Sequence, residues 1–434
     1  MNNKINGSDA ELLENKRIGE KYYKLRHTSG LHIYLVPKKL TTAYALFGTR
    51  YGSVDSRFKL AGEADFTTVP DGIAHFLEHK LFEDENGEDA FKRYAKTGAN
   101  ANAYTGFSRT AYLFSCTDKF EESLEILLDF VTHPYFDEKT VAKEQGIIGQ
   151  EIRMYEDNPD WRVYFGLLGA LHETNPVRLD IAGTAESISK ITPEILYRCY
   201  NTFYNLTNMA LCVSGDVTPE QVLSVADRIL SKPAPAIEIV RSYPDERAGA
   251  FKPRFNLKLQ VSQPQFAIGV KDNELCSGQA LQHKKAEIAL INEYLFGGAG
   301  ELFSELYSSG LIKGGLSPMF DCSTTYGQVV IGGESPDPEA VWAKVMAAMK
   351  KCAGAGIPAD EFERCRRVCY AGMLMGFDST ANIANSFLDY IFEDSDIMEY
   401  TEILSSLRYE DVAARFTAMF REENCAMSVI EPLE

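Results

Sequence analysis

His75 and His79 stand four apart, with Glu78 between them, in the run His75-Phe76-Leu77-Glu78-His79. On an α-helix that spacing stacks two side chains one turn apart on the same face. Two imidazole nitrogens so placed can reach a single Zn2+ at ~2.0–2.1 Å. Glu78 lies three after the first histidine, beside such a metal, where it can take a proton from water and pass it on. The order H-x-x-E-H inverts the H-E-x-x-H zinc motif. A catalytic zinc also needs a third protein ligand and an open position. Residues 140–156 read as a helix on which Glu144 and Glu151, two turns apart, share a face beside the apolar Ile147, Ile148 and Ile152. Glu156 competes with them, and periodicity does not choose among the three.

The elements that must hold these residues follow from pattern. Residues 31–37 and 42–51 are rich in β-branched and aromatic side chains and read as strands. A helix follows that carries His75 to His79. Residues 99–104 and 110–116 read as a strand pair around Gly106, and residues 120–132 as a helix with Leu124, Leu127, Leu128 and Val131 on one face. Thr192-Pro193-Glu194 opens another helix, with Thr as N-cap and Pro in the first turn. Residues 209–214 form a strand ended by Gly215-Asp216.

Residues 231–250 hold three prolines, two of them in Lys232-Pro233-Ala234-Pro235, and read as a connection. Beyond it, strands are expected at 266–270 and 327–331 and helices at 284–296, 338–351 and 359–375. Asn208-Met209-Ala210-Leu211-Cys212-Val213 and Asn424-Cys425-Ala426-Met427-Ser428-Val429 each follow a helix, an echo that points to an internal duplication of about two hundred residues. The expectation is an α+β chain of two homologous α/β sandwich domains, each a mostly antiparallel sheet with helices on one face. The first spans 1–235 and bears the metal, 236–250 links, and 251–434 repeats the fold without activity.

Composition narrows the function. Across 434 residues the formal net charge is −18, which argues against nucleic acid as a partner. No apolar run reaches the roughly 18 residues of a membrane span, and the polar first twenty residues do not resemble a secretory signal, so a cytoplasmic protein is expected. The nine cysteines include no C-x-x-C pair; Cys365 and Cys369, four apart, read as a reduced pair on a helix.

Gly72-Ile73-Ala74-His75-Phe76-Leu77-Glu78-His79-Lys80-Leu81-Phe82 resembles the zinc motif of the pitrilysin, insulysin and mitochondrial-processing-peptidase family. Glu144-Gln145-Gly146-Ile147-Ile148-Gly149-Gln150-Glu151 is similar to that family's distal Glu-x6-Glu helix. The likeness continues through residues 98–105, Gly183-Thr184 and residues 208–211, and more loosely through 298–315. It is strongest toward the short bacterial members associated with aminopentanol modification of elongation factor P. The resemblance implies His75, His79 and Glu151 as ligands of one Zn2+ per chain, Glu78 as general base, and Glu144 as a supporting acid. It also implies that the strand Asn102-Ala103-Tyr104-Thr105 is a sheet edge that binds peptide by backbone pairing. Ala103 would permit close approach, Asn102 would bond the backbone near the scissile carbonyl, and Phe82 would wall a side-chain pocket.

The chain departs from the family in one respect. Where a C-terminal Arg and Tyr are expected to hold substrate and oxyanion, Leu306-Tyr307-Ser308-Ser309-Gly310-Leu311-Ile312-Lys313 offers Tyr307 and Lys313 instead. Tyr has no guanidinium fork, and Lys is a point charge. The expected consequence is a heterodimer, a clamshell in which a related partner supplies the Arg/Tyr pair; a homodimer is the alternative. The leading function is a zinc endopeptidase acting on short or unfolded peptides. A non-catalytic scaffold and a specialised peptide-maturation subunit are the competing readings, and the intact ligand set weighs against the scaffold.

Overall fold

Hydrophobic runs build the central strands of the first sheet: β5 (Ala43–Thr49) and β10 (Met209–Gly215) are buried at every position. A computed structural model describes residues 3–5, 7–230, 233 and 235–433 of the chain. In chain order the first strands are β1 (Asn3–Ile5), β2 (Ser8–Asn15), β3 (Glu20–Arg26), β4 (His32–Pro37) and β5, followed by the short β6 (Arg57–Leu60) and β7 (Thr67–Thr68). Next come β8 (Asn100–Thr105), β9 (Thr110–Cys116), β10 and β11 (Ile239–Arg241). Eight of them form one sheet in the order β1-β2-β3-β4-β10-β5-β9-β8. Every neighbour pair is antiparallel except β4 with β10.

The second sheet repeats that plan. Its strands are β12 (Arg254–Leu259), β13 (Gln265–Lys271), β14 (Met319–Cys322), β15 (Gly327–Glu334) and β16 (Cys425–Pro432), ordered β12-β16-β13-β15-β14. Again the first pair is parallel and the rest antiparallel. This matches β4-β10-β5-β9-β8 strand for strand, and the echoing segments at residues 208 and 424 feed the equivalent strands β10 and β16. Both sheets carry the α+β architecture expected from the sequence.

Two compact units result, and neither is one stretch of chain. Unit 1 comprises Met1–Ile152, Asp180–Ser242 and Leu374–Phe392; unit 2 comprises Arg153–Leu179, Tyr243–Met373 and Glu393–Glu434. A cut at 236–250 therefore separates the two sheets but not the units, because each half of the chain gives one helix to the other's sheet. The helix Pro159–Leu171 packs on β12, β13 and β16. There Val163, Leu167, Ala170 and Leu171 are buried against Ala267, Val330, Ala426 and Ile430. Reciprocally, the helix Thr380–Phe392 packs on β4, β5 and β10, the equivalent three strands. Glycine makes both contacts close: a Cβ on Gly48 of β5 would fall 2.6 Å from Leu388, and one on Gly269 of β13 2.6 Å from Leu171. The connection expected at 236–250 also makes contacts distant in sequence. Residues Ile239–Arg241 pair with β6, while Glu246 accepts hydrogen bonds from the backbone of Glu173, Thr174 and Asn175. Ser231, Lys232 and Ala234, in the proline-bearing stretch 231–250, lie outside the described residues.

Register assigns the faces of the first sheet. Ala45, Phe114 and Ala101 align across β5, β9 and β8, as do Leu46, Leu113 and Asn102. The Phe114 ring meets Tyr94 and Phe120 on the side of helices α1 (Ile73–Lys80), α2 (Ala90–Thr97) and α3 (Phe120–Thr132). The other face, with Tyr44 and Gly48, receives the helix Thr380–Phe392.

Candidate metal centre

The centre begins at Gly72, the N-cap of α1, whose φ of 89° lies in the left-handed region. A Cβ on Gly72 would lie 2.4 Å from the carbonyl oxygen of Ala182, so two loops pass backbone to backbone here. Ser187 Oγ donates to Asp71 O at 2.8 Å across the same crossing. From that fixed start α1 is buried at Ile73, Ala74, His75, Phe76, Leu77, Glu78 and Lys80. Both histidines and Glu78 thus project from a helix that has almost no solvent side.

The distal helix α4 (Glu138–Glu156) meets it. Val141, Ile148 and Ile152 are its buried apolar face, and Glu144 is buried with them. Ile147, expected in that stripe, is 45% exposed; the buried line runs through 141, 148 and 152, and Ile147 falls one residue, about 100°, to its side. Neighbouring residues dock α4 onto the end of α1: Lys143 Nζ is 3.1 Å from Glu83, which also takes Lys80 Nζ at 3.3 Å.

Glu151 then faces both imidazoles. His75 Nε2 lies 3.8 Å from Glu151 Oε1 and His79 Nε2 3.6 Å from Oε2, with one ligand atom from each residue within 4.8 Å of the others. Donors on one tetrahedral Zn2+ at ~2.0–2.1 Å stand about 3.4 Å apart, so this His/His/Glu set fits zinc with a small inward adjustment. Among the described residues it is the only group of three that could hold an ion, and Glu156 is exposed outside it. His79 Nδ1 is 3.0 Å from Glu144 Oε1, so Glu144 fixes the tautomer that leaves Nε2 for a metal.

Electrostatics separate the two histidines. Burial, with the nearby His79, pushes His75 down to about 3, so it stays a neutral donor. Its approach to Glu151 is for that reason not an ion pair. Burial also opposes charge on His79, but the Glu144 hydrogen bond and the carboxylates of Glu78, Glu144 and Glu151 outweigh it and raise its pKa. Burial raises Glu78, against the pull of a hydrogen bond from Thr105 and the charge of His79. Thr105 Oγ1 donates to Glu78 Oε2 at 2.6 Å. The sequence places Thr105 only in the edge strand; nothing local ties position 105 to position 78.

The uncharacterized zinc protease YmfH of Bacillus subtilis is 42% identical to this chain over 404 residues, covering 92% of this chain and 94% of that one. The chain belongs to peptidase family M16. The profile described as Insulinase (Peptidase family M16) matches residues 63–185, and the one described as Peptidase M16 inactive domain matches residues 190–369. An M16-like peptidase structure from Alicyclobacillus acidocaldarius superposes with a TM-score of 0.92 at 34% identity, covering 97% of this chain and all (100%) of that one. Pitrilysin shares the fold at a TM-score of 0.74 and 14% identity; 97% of this chain matches 46% of it.

β8 is the edge strand of its sheet. By register Ala103 and Thr105 face the α1 side with Tyr112 and Thr110, whereas Asn102 and Tyr104 face the opposite side with Leu113 and Ala111. Asn102 Oδ1 accepts from the Ala103 N–H at 2.9 Å, and Tyr104 OH donates to Asn385 at 2.8 Å. The side chains of Asn102 and Tyr104 are therefore directed away from Glu78. Phe82 stacks on Phe91 and Phe130 and borders a cavity of about 490 Å³ with Leu81, Arg93, Asp129 and Tyr135. Tyr307 is 58% exposed and stacks on Phe303, and Lys313 Nζ lies 3.5 Å from Gln263; both belong to unit 2. No helix among the described residues is long and apolar enough to cross a membrane.

Proposed function

We propose that this chain is the zinc-bearing subunit of an endopeptidase that cuts short or unfolded peptides. The observation that carries the reading is the convergence of His75, His79 and Glu151 with Glu78 held beside them on the same buried helix. Zinc bound there would supply a Lewis acid that polarises the scissile carbonyl and acidifies water at neutral pH. Glu78, with Oε2 occupied by Thr105, keeps Oε1 to accept a proton and return it to the leaving amine. Its burial favours the protonated form it must pass through. As the edge strand of its sheet, β8 could take an extended peptide as an added strand once the Ala103 N–H is released from Asn102 Oδ1, which restricts substrates to chains that can open into a strand. The small Ala103, on the Glu78 side, allows that approach; Phe82 is the candidate wall for a substrate side chain.

By the resemblance, Tyr307 and Lys313 stand where an Arg/Tyr pair would complete the site. This departure supports an assembly with a related second subunit. The test is cleavage of an unfolded-peptide library by the chain alone and co-expressed with a paralogue, wild type against Glu78→Gln, with zinc quantified. Zinc retained and cleavage lost in Glu78→Gln is the expected result. Equal cleavage by both forms would overturn the role of Glu78, and full activity of the lone chain would overturn the need for a partner.

A further inference from the structure

We infer that Thr105 is the positioning residue of the catalytic base: its hydroxyl holds Glu78 in the orientation that presents Oε1 to the metal side. The inference rests on the peptidase reading above. Glu78 is buried, and among the described residues its side chain takes a hydrogen bond from Thr105 Oγ1 at 2.6 Å, a length typical of a charge-assisted O–H···O− bond. A glutamate side chain has three rotatable torsions, so without a donor at one oxygen its carboxylate would sample several orientations. A base displaced by about 1 Å can lose on the order of a hundredfold in rate.

Thr105 is suited to the task because it is itself immobilised. It is the last residue of the edge strand, paired with Thr110 of β9, whose hydroxyl donates to Tyr51 O at 2.9 Å and lies 3.4 Å from Thr105 Oγ1. On the other face of the sheet the adjacent Tyr104 OH donates to Asn385 at 2.8 Å, and Arg109, just past the turn, pairs with Asp389 at 2.7 Å. Asn385 and Asp389 lie on the helix Thr380–Phe392, contributed by the other half of the chain. The strand that would receive the peptide is thus pinned from both faces at the point where it touches the base. The C-terminal half thus braces this strand through the helix, while among the described residues the His/His/Glu group lies wholly in the N-terminal half.

Thr105→Val keeps shape and removes the hydroxyl, while Thr105→Ser keeps the hydroxyl. In the zinc-loaded protein with its partner, Thr105→Val should lower kcat about ten- to a hundredfold, with KM within about twofold and zinc content unchanged, and Thr105→Ser should restore most of the rate. A structural readout runs beside this one. In a double-mutant cycle, Thr105→Val should shift the unfolding equilibrium about tenfold or more with Glu78 present and by little in a Glu78→Met background. Unchanged kcat in Thr105→Val, an equal loss in Thr105→Ser, or no coupling in the cycle would each overturn the inference. A wild-type protein that cleaves nothing counts against the peptidase reading instead, and the cycle then decides the Thr105–Glu78 relationship by itself.

Discussion

His79 and Glu144 meet at 3.0 Å through Nδ1 and Oε1, and this one contact orders the candidate metal centre from behind. It turns Nε2 of His79 toward Glu151 and ties α1 to α4 one residue from the Lys143–Glu83 ion pair. Glu144→Gln should leave three ligands in place but weaken zinc binding by about 10–100-fold, read by competition with a chelator. Glu151→Gln removes a ligand and should cost more. An equal loss in the two variants would assign Glu144 to direct ligation.

The two histidines should answer differently to pH. A metal can bind His79 Nε2 only when that nitrogen is unprotonated, and the folded metal-free chain raises its pKa above the usual 6.5. Zinc affinity should therefore be full well above that value and fall as pH drops through it, with one proton displaced per ion. His75, pushed down to about 3, stays neutral throughout this window and adds no second proton. Titrating zinc affinity from pH 8.5 to 5.5 checks this: a two-proton slope would place both histidines in the charged form.

Gly72→Ala and Gly62→Ala separate backbone strain from steric clash. Both residues have left-handed φ, 89° and 92°, but a Cβ on Gly62 meets nothing within 4 Å while one on Gly72 lies 2.4 Å from Ala182 O. Gly62→Ala should cost about 1–2 kcal/mol from strain alone. Gly72→Ala should cost about 1–3 kcal/mol more and lower zinc occupancy, since the start of α1 must move. Equal thermal shifts for the two variants would refute the close crossing.

The exchanged helices predict how fragments behave. A fragment of residues 1–242 lacks the helix that covers β4, β5 and β10, and it exposes Val163, Leu167 and Leu171, each worth about 1.5–3 kcal/mol when buried. Fragment 243–434 has the reciprocal defect. Each alone should bind a hydrophobic dye and lack sharp near-UV dichroism; mixing or co-expression should restore both properties of the whole chain. A well-packed isolated 1–242 would contradict the exchange.

His172, at the end of the helix Pro159–Leu171, gives unit 2 an acid limit. Burial, reinforced by the charge of Lys271, pushes it down to about 4, and its Nε2 bonds Gln328 at 3.0 Å. The unfolded chain takes up this proton near 6.5, before the folded chain does. The stabilisation is therefore complete above about pH 6.5 and is lost as pH falls toward 4, up to about 3 kcal/mol in all. His172→Gln should flatten the denaturation midpoint of unit 2 between pH 6.5 and 4.5. An unchanged pH slope would remove His172 as the cause.

Much of this was legible in the chain itself. The turn-spaced His75 and His79, the N-cap Thr192 with Pro193, the helix Phe120–Thr132 and the strands flanking Gly106 lie where their local patterns place them. Each depends on interactions within a few residues, where helix rise, capping and alternation leave few choices. The echo between residues 208 and 424 likewise marked two equivalent strands, because a duplicated sheet needs the same buried run twice.

Other features depended on packing. Glu144, Glu151 and Glu156 share one helix and one chemistry; only the docking of α4 on α1 puts Glu151 before the imidazoles and Glu144 behind them. The edge position of β8 sends Asn102 and Tyr104 to the face away from Glu78, and Thr105 toward it, because alternation sets which residues share a face but not which face meets the centre. The swapped helices at Pro159–Leu171 and Thr380–Phe392 left no local mark, since an apolar helix face looks the same whichever sheet it covers. Short-range geometry thus determined a pair of zinc-spaced histidines with a base beside them. Long-range contacts, chosen by the burial of whole faces, decided which glutamate meets the two imidazoles, which hydroxyl meets Glu78, and which half of the chain braces that strand.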